Sequence, residues 1–192
     1  MPISGKKMTI FVIFIIIMLA SIMPARPEAT IFKVVAVYDG DTIKAEGHGT
    51  VIKVRLACID APEASGDVRK AGQPYSREAK AYLAGLILNK MVEIKGYGYH
   101  SHDLVFGEIF FEGKNINLEI VKAGLAEVYD KKVPAGLDLA PYYKAERASK
   151  DANRGMWAQG DRYASPAKWR EKKSSISAIG ILLYGLHEQQ GK

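Results

Sequence analysis

The chain has 192 residues, an apolar fraction of 48% and a formal net charge of +6. This length leaves room for one domain of about 100–150 residues with terminal extensions, and the apolar fraction is high enough for a real hydrophobic core. The positive charge favours an anionic partner without requiring one, and a single cysteine, Cys58, excludes an internal disulfide.

The N-terminal residues 1–29 have the pattern of an export segment. Lys6 and Lys7 precede an uncharged run of sixteen residues, 8–23, which is short for a membrane span and suits the core of a signal peptide. The residues that follow do not form a clear cleavage site, so an uncleaved membrane anchor through 8–23 is the alternative. Either way we expect an exported protein that is secreted, periplasmic or membrane-anchored facing outward.

The first three predicted strands surround a turn and a hairpin. Residues 31–38 are rich in valine and predict a strand that stops at the Asp-Gly turn signal in 39–41. Residues 42–45 continue as a short second strand. A hairpin loop at 47–49 then leads into a third strand over 50–59.

The rest of the chain mixes helices and strands. In chain order, the sequence predicts a helix with Pro74 in its first turn that Asn89 ends, and strands over 91–95 and 105–111 around a loop at 96–103. A short helix from an Asn117 cap to Gly124, an extended segment over 125–129 and a helix over 141–153 follow. Five strands with interspersed helices predict a mainly β, α+β fold: a five-stranded OB-fold barrel with about three helices, preceded by the N-terminal signal or anchor helix. We expect this domain over 30–159. Residues 160–192 then form a tail that is charged and loose over 161–173 and apolar over 176–186.

Acidic residues stand where two of these strands stop. Asp39 and Asp41 flank the first turn, and Asp60 and Glu63 flank an Ala-Pro pair that ends the third strand. Arg55 lies between them on the polar face of its strand. If the strands lie side by side, the carboxylates of Asp41, Asp60 and Glu63 and one guanidinium converge, which suits a hard divalent cation and a phosphate ester. The alternative is that these acids are only turn and strand-end residues.

Three segments together resemble the thermonuclease, or staphylococcal nuclease-like, family. They are D-G-D-T at 39–42, V-R-L followed by I-D-A-P-E within 54–63, and N-L-E-I-V-K-A-G-L-A at 117–126. The resemblance runs from about residue 31 to residue 157. It implies an OB-fold barrel that hydrolyses the phosphodiester bonds of DNA and RNA with one calcium ion.

The resemblance also implies a role for each acidic residue and for Arg55. Asp41 and Asp60 correspond to the carboxylate ligands of the calcium ion, and Ala61 to a residue that offers only its backbone carbonyl. Asp39 corresponds to a supporting residue that works through water or by fixing the turn.

Two further roles concern the phosphate and the attacking water. Glu63 corresponds to the residue that activates or orients the water, a task that a carboxylate close to a metal can perform. Arg55 corresponds to the arginine that binds the scissile phosphate, because a guanidinium fork matches two phosphate oxygens at once. Tyr129 is a candidate for stacking on a base or bonding a phosphate.

Two positions depart from the family pattern. Leu104 stands where the family has a second catalytic arginine, and His102 stands where a family tyrosine touches the substrate. Three explanations are open: compensation by His100 and His102, simple loss of activity, or a misplaced local alignment. No arginine lies between Arg77 and Arg147, so even a shifted alignment would not place an arginine at this position.

The leading interpretation is an exported, monomeric, calcium-dependent endonuclease that acts on DNA or RNA. The alternative is a catalytically impaired OB module that binds nucleic acid with little turnover. A third interpretation, based on the apolar segments at 8–23 and 176–186, is a role in envelope assembly.

Overall fold

The structure, a computed structural model, describes residues 30–65, 71–101 and 104–175. The predicted signal peptide or anchor, His102 and the apolar segment at 176–186 lie outside these residues. Within the described ranges, no helix is both long enough and apolar enough to cross a membrane.

Five long strands close into a barrel, and three short strands accompany them. The strands are β1 (Thr30–Val37), β2 (Thr42–Gly47), β3 (Thr50–Leu56), β4 (Ile59–Asp60), β5 (Met91–Ser101), β6 (Leu104–Phe111), β7 (Lys114–Asn115) and β8 (Glu127–Val128). The main sheet runs in the order β3-β2-β1-β5-β6-β7, and a parallel pairing of β3 with β6 closes it. The predicted five-stranded OB-fold barrel is therefore confirmed.

Helices pack around this barrel. They are α1 (Ser76–Ile87), α2 (Ile116–Lys122), α3 (Ala140–Asp151), a 3₁₀ segment (Gly155–Arg162) and a last helix, α4, over 166–175. The three helices that the sequence predicts are thus present, with ends shifted by one to two residues. Such shifts are normal because helix ends fray.

The barrel interior is apolar because alternate residues of each strand point inward. Its fully buried side chains come from β1, β2, β3, β5 and β6, and α1 covers one side: Val34, Ile43, Ala45, Val54, Leu56, Val92, Ile109, Ala79, Leu83 and Ile87. Residues between these positions point outward. The barrel therefore leaves the outer face of β3 available for Arg55.

The predicted loop at 96–103 is wrong over most of its length. Strand β5 continues to Ser101, and β6 begins at Leu104. The pairing of the two strands shifts register between Gly96 and Tyr99 and again before Ser101. These irregularities explain why the glycines and histidines looked like a loop: bulges let a strand continue through residues that break the regular pattern.

The predicted helix cap at Asn117 is also wrong. Asn115 caps α2, because its side-chain oxygen accepts a hydrogen bond from the Leu118 amide at 3.1 Å. Asn117 is fully buried instead, and its amide nitrogen donates to the carbonyls of Ala57 and Gly107 at 3.0 and 3.1 Å. It joins α2 to the end of β3 and to β6.

The segment expected to be loose, 161–173, is largely ordered structure. The 3₁₀ segment runs to Arg162, and α4 starts at Pro166. Ser165 caps α4, since its hydroxyl oxygen accepts from the Lys168 amide at 3.2 Å, and a proline suits the first turn of a helix. The many charged residues of this segment suggest a loose tail, but Ser165 and Pro166 form a helix start within it.

Candidate active site

The first acidic turn is held tightly against α1. The Asp41 amide donates to the Asp39 carboxylate at 3.1 Å, which fixes the turn before β2. A Cβ atom at Gly40 would lie 2.6 Å from the Cβ of Ala79 and 2.7 Å from that of Ala61. Only glycine therefore allows this close approach, which brings Asp41 beside Ala61.

A short turn after β3 places Asp60. The chain leaves β3 at Leu56 and reverses at Cys58, whose φ of 60° lies in the left-handed region. It then forms β4, in which Asp60 pairs with Glu127 of β8. Asp60 is fully buried at the end of this strand. Cys58 is buried as well, and burial raises the pKa of its thiol to about 11.

Arg55 joins the two acidic turns. One guanidinium nitrogen donates to Asp41 Oδ1 at 3.1 Å, and the other lies 3.0 Å from Asp41 Oδ2 and 2.8 Å from Asp60 Oδ1. The Ala61 amide adds a hydrogen bond to Asp41 Oδ2 at 3.0 Å, and the Thr42 hydroxyl donates to Asp41 Oδ1 at 2.8 Å. Asp41, Asp60 and Arg55 thus meet at one point, as the sequence predicts.

Glu63 reaches the same point, and Gln73 fixes its backbone. The Glu63 backbone amide donates to the Gln73 side-chain oxygen at 3.0 Å, and the Gln73 backbone amide donates to the Glu63 backbone carbonyl at 2.9 Å. The Glu63 carboxylate remains 32% exposed, whereas Asp60 is fully buried. Glu63 is therefore the acid of this cluster that solvent reaches most easily.

A second arginine, Arg170 of α4, enters the cluster. Its two terminal nitrogens donate to the two oxygens of Asp60 at 3.0 and 2.8 Å, and one of them also bonds the Glu63 carboxylate. These carboxylates hold the pKa of the Arg170 guanidinium above its ordinary value. No sequence pattern identifies Arg170 as part of this cluster. The Ser165-Pro166 helix start was the available signal, but no local pattern shows which residue of α4 faces the barrel.

The cluster is electrostatically crowded. Burial raises the pKa of the Asp41 carboxyl to about 7; Arg55 opposes the rise and Asp39 adds to it. A buried carboxylate that shares a site with other carboxylates needs cationic partners to stay ionised. Here two guanidiniums supply that charge to the three acids Asp41, Asp60 and Glu63.

The chemistry of these oxygen donors fits a hard divalent cation, which takes carboxylate and carbonyl oxygens. In the described ranges, however, no group of three or more His, Cys, Asp or Glu side chains is gathered closely enough to hold a metal ion. Both Asp60 oxygens accept hydrogen bonds from guanidiniums instead. Binding a cation there requires at least one guanidinium to release its carboxylate.

The other predicted residues lie on β6, just after β8 and on β5. Leu104 pairs with Lys53 of β3, two residues before Arg55, so Leu104 lies on the outward face that Arg55 shares. Tyr129 is half-buried just after β8, and its amide donates to the Cys58 carbonyl at 2.9 Å. His100 belongs to β5.

A closed five-stranded barrel with Asp41, Asp60, Glu63 and Arg55 clustered at its edge is the arrangement that the sequence resemblance implied. The family described as Staphylococcal nuclease homologue matches residues 53–159, more than half of the chain. The chain therefore belongs to the staphylococcal nuclease family.

Several curated proteins are similar to this chain. A protein named Probable endonuclease LCL3 from Pyricularia oryzae is 35% identical over 136 residues, which cover 67% of this chain and 52% of that protein. The protein of the same name from Leptosphaeria maculans is 34% identical over 141 residues, covering 66% of this chain and 47% of that protein. A protein named Uncharacterized endonuclease from Haemophilus influenzae is 31% identical over 147 residues, covering 76% of each. The chain thus spans about half the length of the two fungal relatives and about three quarters of the bacterial one.

Proposed function

We propose that this protein is a metal-dependent nuclease that hydrolyses phosphodiester bonds of nucleic acid. The observation that carries this proposal is the convergence of Asp41, Asp60, Glu63 and Arg55 at one end of the barrel. Family membership and the endonuclease names of the relatives support the same reaction.

The proposed roles follow from burial and bonding. Asp41, Asp60 and the Ala61 carbonyl would hold one calcium ion, with Asp39 fixing the turn. Calcium, when bound, would neutralise the phosphate charge and lower the pKa of a bound water. Glu63 is half-exposed and accepts the proton of the attacking water. Its exposure suits this task better than the full burial of Asp60 does.

Arg55 provides the contact to the substrate. Its side chain is 29% exposed, so its guanidinium can bond a phosphate that approaches from solvent. A guanidinium offers two parallel donors that match two phosphate oxygens, and it offsets the charge that develops as water attacks. In this proposal Arg55 transfers part of its hydrogen bonding from Asp41 and Asp60 to the phosphate.

The proposal includes export of the protein from the cytoplasm. An exported monomer, with membrane association through 8–23 as the alternative to cleavage, would meet DNA or RNA outside the cytoplasm. Calcium is more available there than inside. The net charge of +6 suits a polyanionic substrate.

The test is calcium-dependent release of acid-soluble nucleotides from DNA and from RNA by the full chain. We expect activity with calcium that disappears with a chelator and falls sharply in Glu63→Gln. That variant keeps the size of the side chain and removes the base. Cleavage by the unmodified chain that does not exceed the Glu63→Gln level would reject the proposal.

A second candidate is a nucleic-acid-binding module with little turnover. Two observations favour it: Leu104 occupies the place of a family arginine, and guanidiniums already occupy both Asp60 oxygens. It predicts binding of single-stranded DNA that weakens with salt while cleavage stays undetectable. Absence of binding at low salt would eliminate this candidate.

A further inference from the structure

Two guanidiniums meet on a single carboxylate oxygen. Asp60 Oδ1 accepts from Arg55 at 2.8 Å and from Arg170 at 3.0 Å. Like charges at this spacing repel each other, and the arrangement exists because three carboxylates surround them. Any anionic group that enters between the two arginines would be attracted by both guanidiniums.

The two residues just before the Ser165 cap anchor the start of α4, and so help to place Arg170. The buried Gln73 side chain donates to the Ala164 carbonyl at 2.7 Å, just before the Ser165 cap. The Tyr163 hydroxyl donates to Glu127 at 2.5 Å, and its ring lies 4.6 Å from that of Trp157. Since Glu127 pairs with Asp60, α4 is tied to the same strand pair that carries the acidic cluster.

We propose that Arg170 is a second phosphate-binding residue of this site. In this proposal Arg170 contacts the phosphate of bound nucleic acid beside Arg55, from an element that follows the barrel in sequence. The inference rests on the proposed function, because it names a substrate contact of the same site.

Exposure and charge both support this role. The side chains of Arg55 and Arg170 are 29% and 42% exposed, so a phosphate can reach both, while Asp60 behind them is fully buried. With one arginine, the three carboxylates and a divalent cation would leave the cluster without excess positive charge. The second guanidinium gives the cluster one positive charge, which complements the single negative charge of a phosphodiester.

The same contacts could serve the opposite purpose. Because Arg170 bonds Asp60 and Glu63, its guanidinium could compete with a cation for these carboxylates and so inhibit the site. The two roles predict opposite effects of removing the Arg170 side chain. Loss of a phosphate ligand lowers substrate affinity and turnover, whereas loss of an inhibitory ion pair raises cation affinity and turnover.

The experiment uses the full chain with Arg170→Ala and Arg170→Lys. Lys172→Ala is the matched control, because it removes one positive charge from the exposed surface of the same helix. Cleavage is measured with calcium. Binding of a short labelled single-stranded DNA is measured over a salt series in the Glu63→Gln background, where the probe stays intact. Thermal melting shows whether each variant folds.

We expect Arg170→Ala to lower kcat by about 10³-fold, the lower end of what charge-stabilising arginines contribute to phosphoryl transfer. The plot of log affinity against log salt concentration should become shallower, its negative slope losing about 0.7 in magnitude, which is the value for one lost phosphate contact on a single strand. Arg170→Lys should retain the slope and recover only part of kcat, because lysine lacks the two-pronged geometry. Lys172→Ala should change neither quantity.

Leu104→Arg provides a second, independent readout. If Arg170 supplies the second cation, an arginine at 104 should raise cleavage much more in the Arg170→Ala background than in the unmodified chain. A large gain in the unmodified chain, a rise in kcat in Arg170→Ala, or an unchanged salt slope would each overturn the inference. If the unmodified chain cleaves nothing, the proposed function fails, and the binding measurements still decide whether Arg170 contacts phosphate.

Discussion

Two acidic sites in this molecule use opposite kinds of hydrogen-bond donor. Glu108 is buried in the barrel wall and accepts from the hydroxyls of Tyr97 and Tyr142 at 2.5 and 2.8 Å, and from the Asn115 amide at 2.8 Å. Lys95 approaches at 3.4 Å. The Asp41–Asp60–Glu63 cluster instead depends on two guanidiniums from half-exposed side chains.

The pKa values reflect this difference. Burial alone would raise the pKa of Glu108, but the hydrogen bonds from Tyr97, Tyr142 and Asn115 outweigh it, and the pKa is lowered from its ordinary 4.5. Burial does raise the pKa of Asp41, to about 7, although Arg55 lies beside it. Neutral donors that are fixed in the core stabilise the fold. The guanidiniums can exchange a carboxylate for a phosphate, which suits a site that binds.

The largest expected effect comes from Arg55→Ala in the Asp41–Asp60–Glu63 cluster. It should reduce kcat/KM by about 10³–10⁵-fold, because in the proposed function the Arg55 guanidinium offsets transition-state charge. This corresponds to about 4–7 kcal/mol of barrier. Steady-state cleavage of single-stranded DNA with calcium measures the loss.

Arg147→Ala is the matched control for this change, since Arg147 is exposed on α3. We expect it to retain activity. Equal activities for the two variants would show that Arg55 has no specific role and that only net charge matters.

The next effect distinguishes Glu108, which we assign to the fold, from the acids of the proposed active site. Glu108→Ala removes the acceptor that the Tyr97 and Tyr142 hydroxyls and the Asn115 side-chain amide share. The Asn115 amide keeps its hydrogen bond to the Tyr142 hydroxyl at 3.1 Å, so we expect a total loss of about 1–3 kcal/mol of stability. Urea unfolding should show this loss, while kcat per folded molecule stays near that of the unmodified chain. A catalytic defect larger than the stability defect would contradict the assignment of Glu108 to the fold.

The sequence predicts the barrel and most of the cluster for a clear physical reason. Each acidic residue stands at a turn signal next to an alternating strand, so local patterns already specify where Asp41 and Asp60 lie. The position of Arg55 follows from the period of two along β3. These residues are within about 25 positions of one another, and strand pairing brings them together.

Arg170 could not be predicted in the same way. It lies 110 residues after Asp60, and their contact depends on how the 3₁₀ segment, Tyr163 and Gln73 orient α4. Local propensity indicates a helix after Ser165 but not which of its faces is covered. The strand extension through 96–101 was missed for a related reason: bulged pairing with β6 stabilises it, rather than the local sequence.

A smaller effect tests the connection between the cluster and α4. Gln73→Ala removes the acceptor for the Glu63 amide and the donor to the Ala164 carbonyl, so we expect a loss of about 1–2 kcal/mol. Because α4 loses one of its attachments, cleavage should fall as well. Gln159→Ala is the matched control, since among the residues that the structure describes the Gln159 side chain bonds only the nearby Met156 carbonyl, at 2.9 Å. We expect little change in cleavage for this control.

The smallest effect is a pH dependence of stability that belongs to Glu108. Its pKa is lower in the folded state than in the unfolded chain, so the unfolded chain takes up the proton first as pH falls. The stabilisation is therefore present above pH 4.5 and is lost as the pH falls through the lower folded value. The difference in free energy of unfolding between the unmodified chain and Glu108→Gln should shrink over that interval and stay constant between pH 6 and 8. A difference that instead grew on acidification would mean that the folded state holds Glu108 protonated, and the contrast between the two acidic sites would be lost.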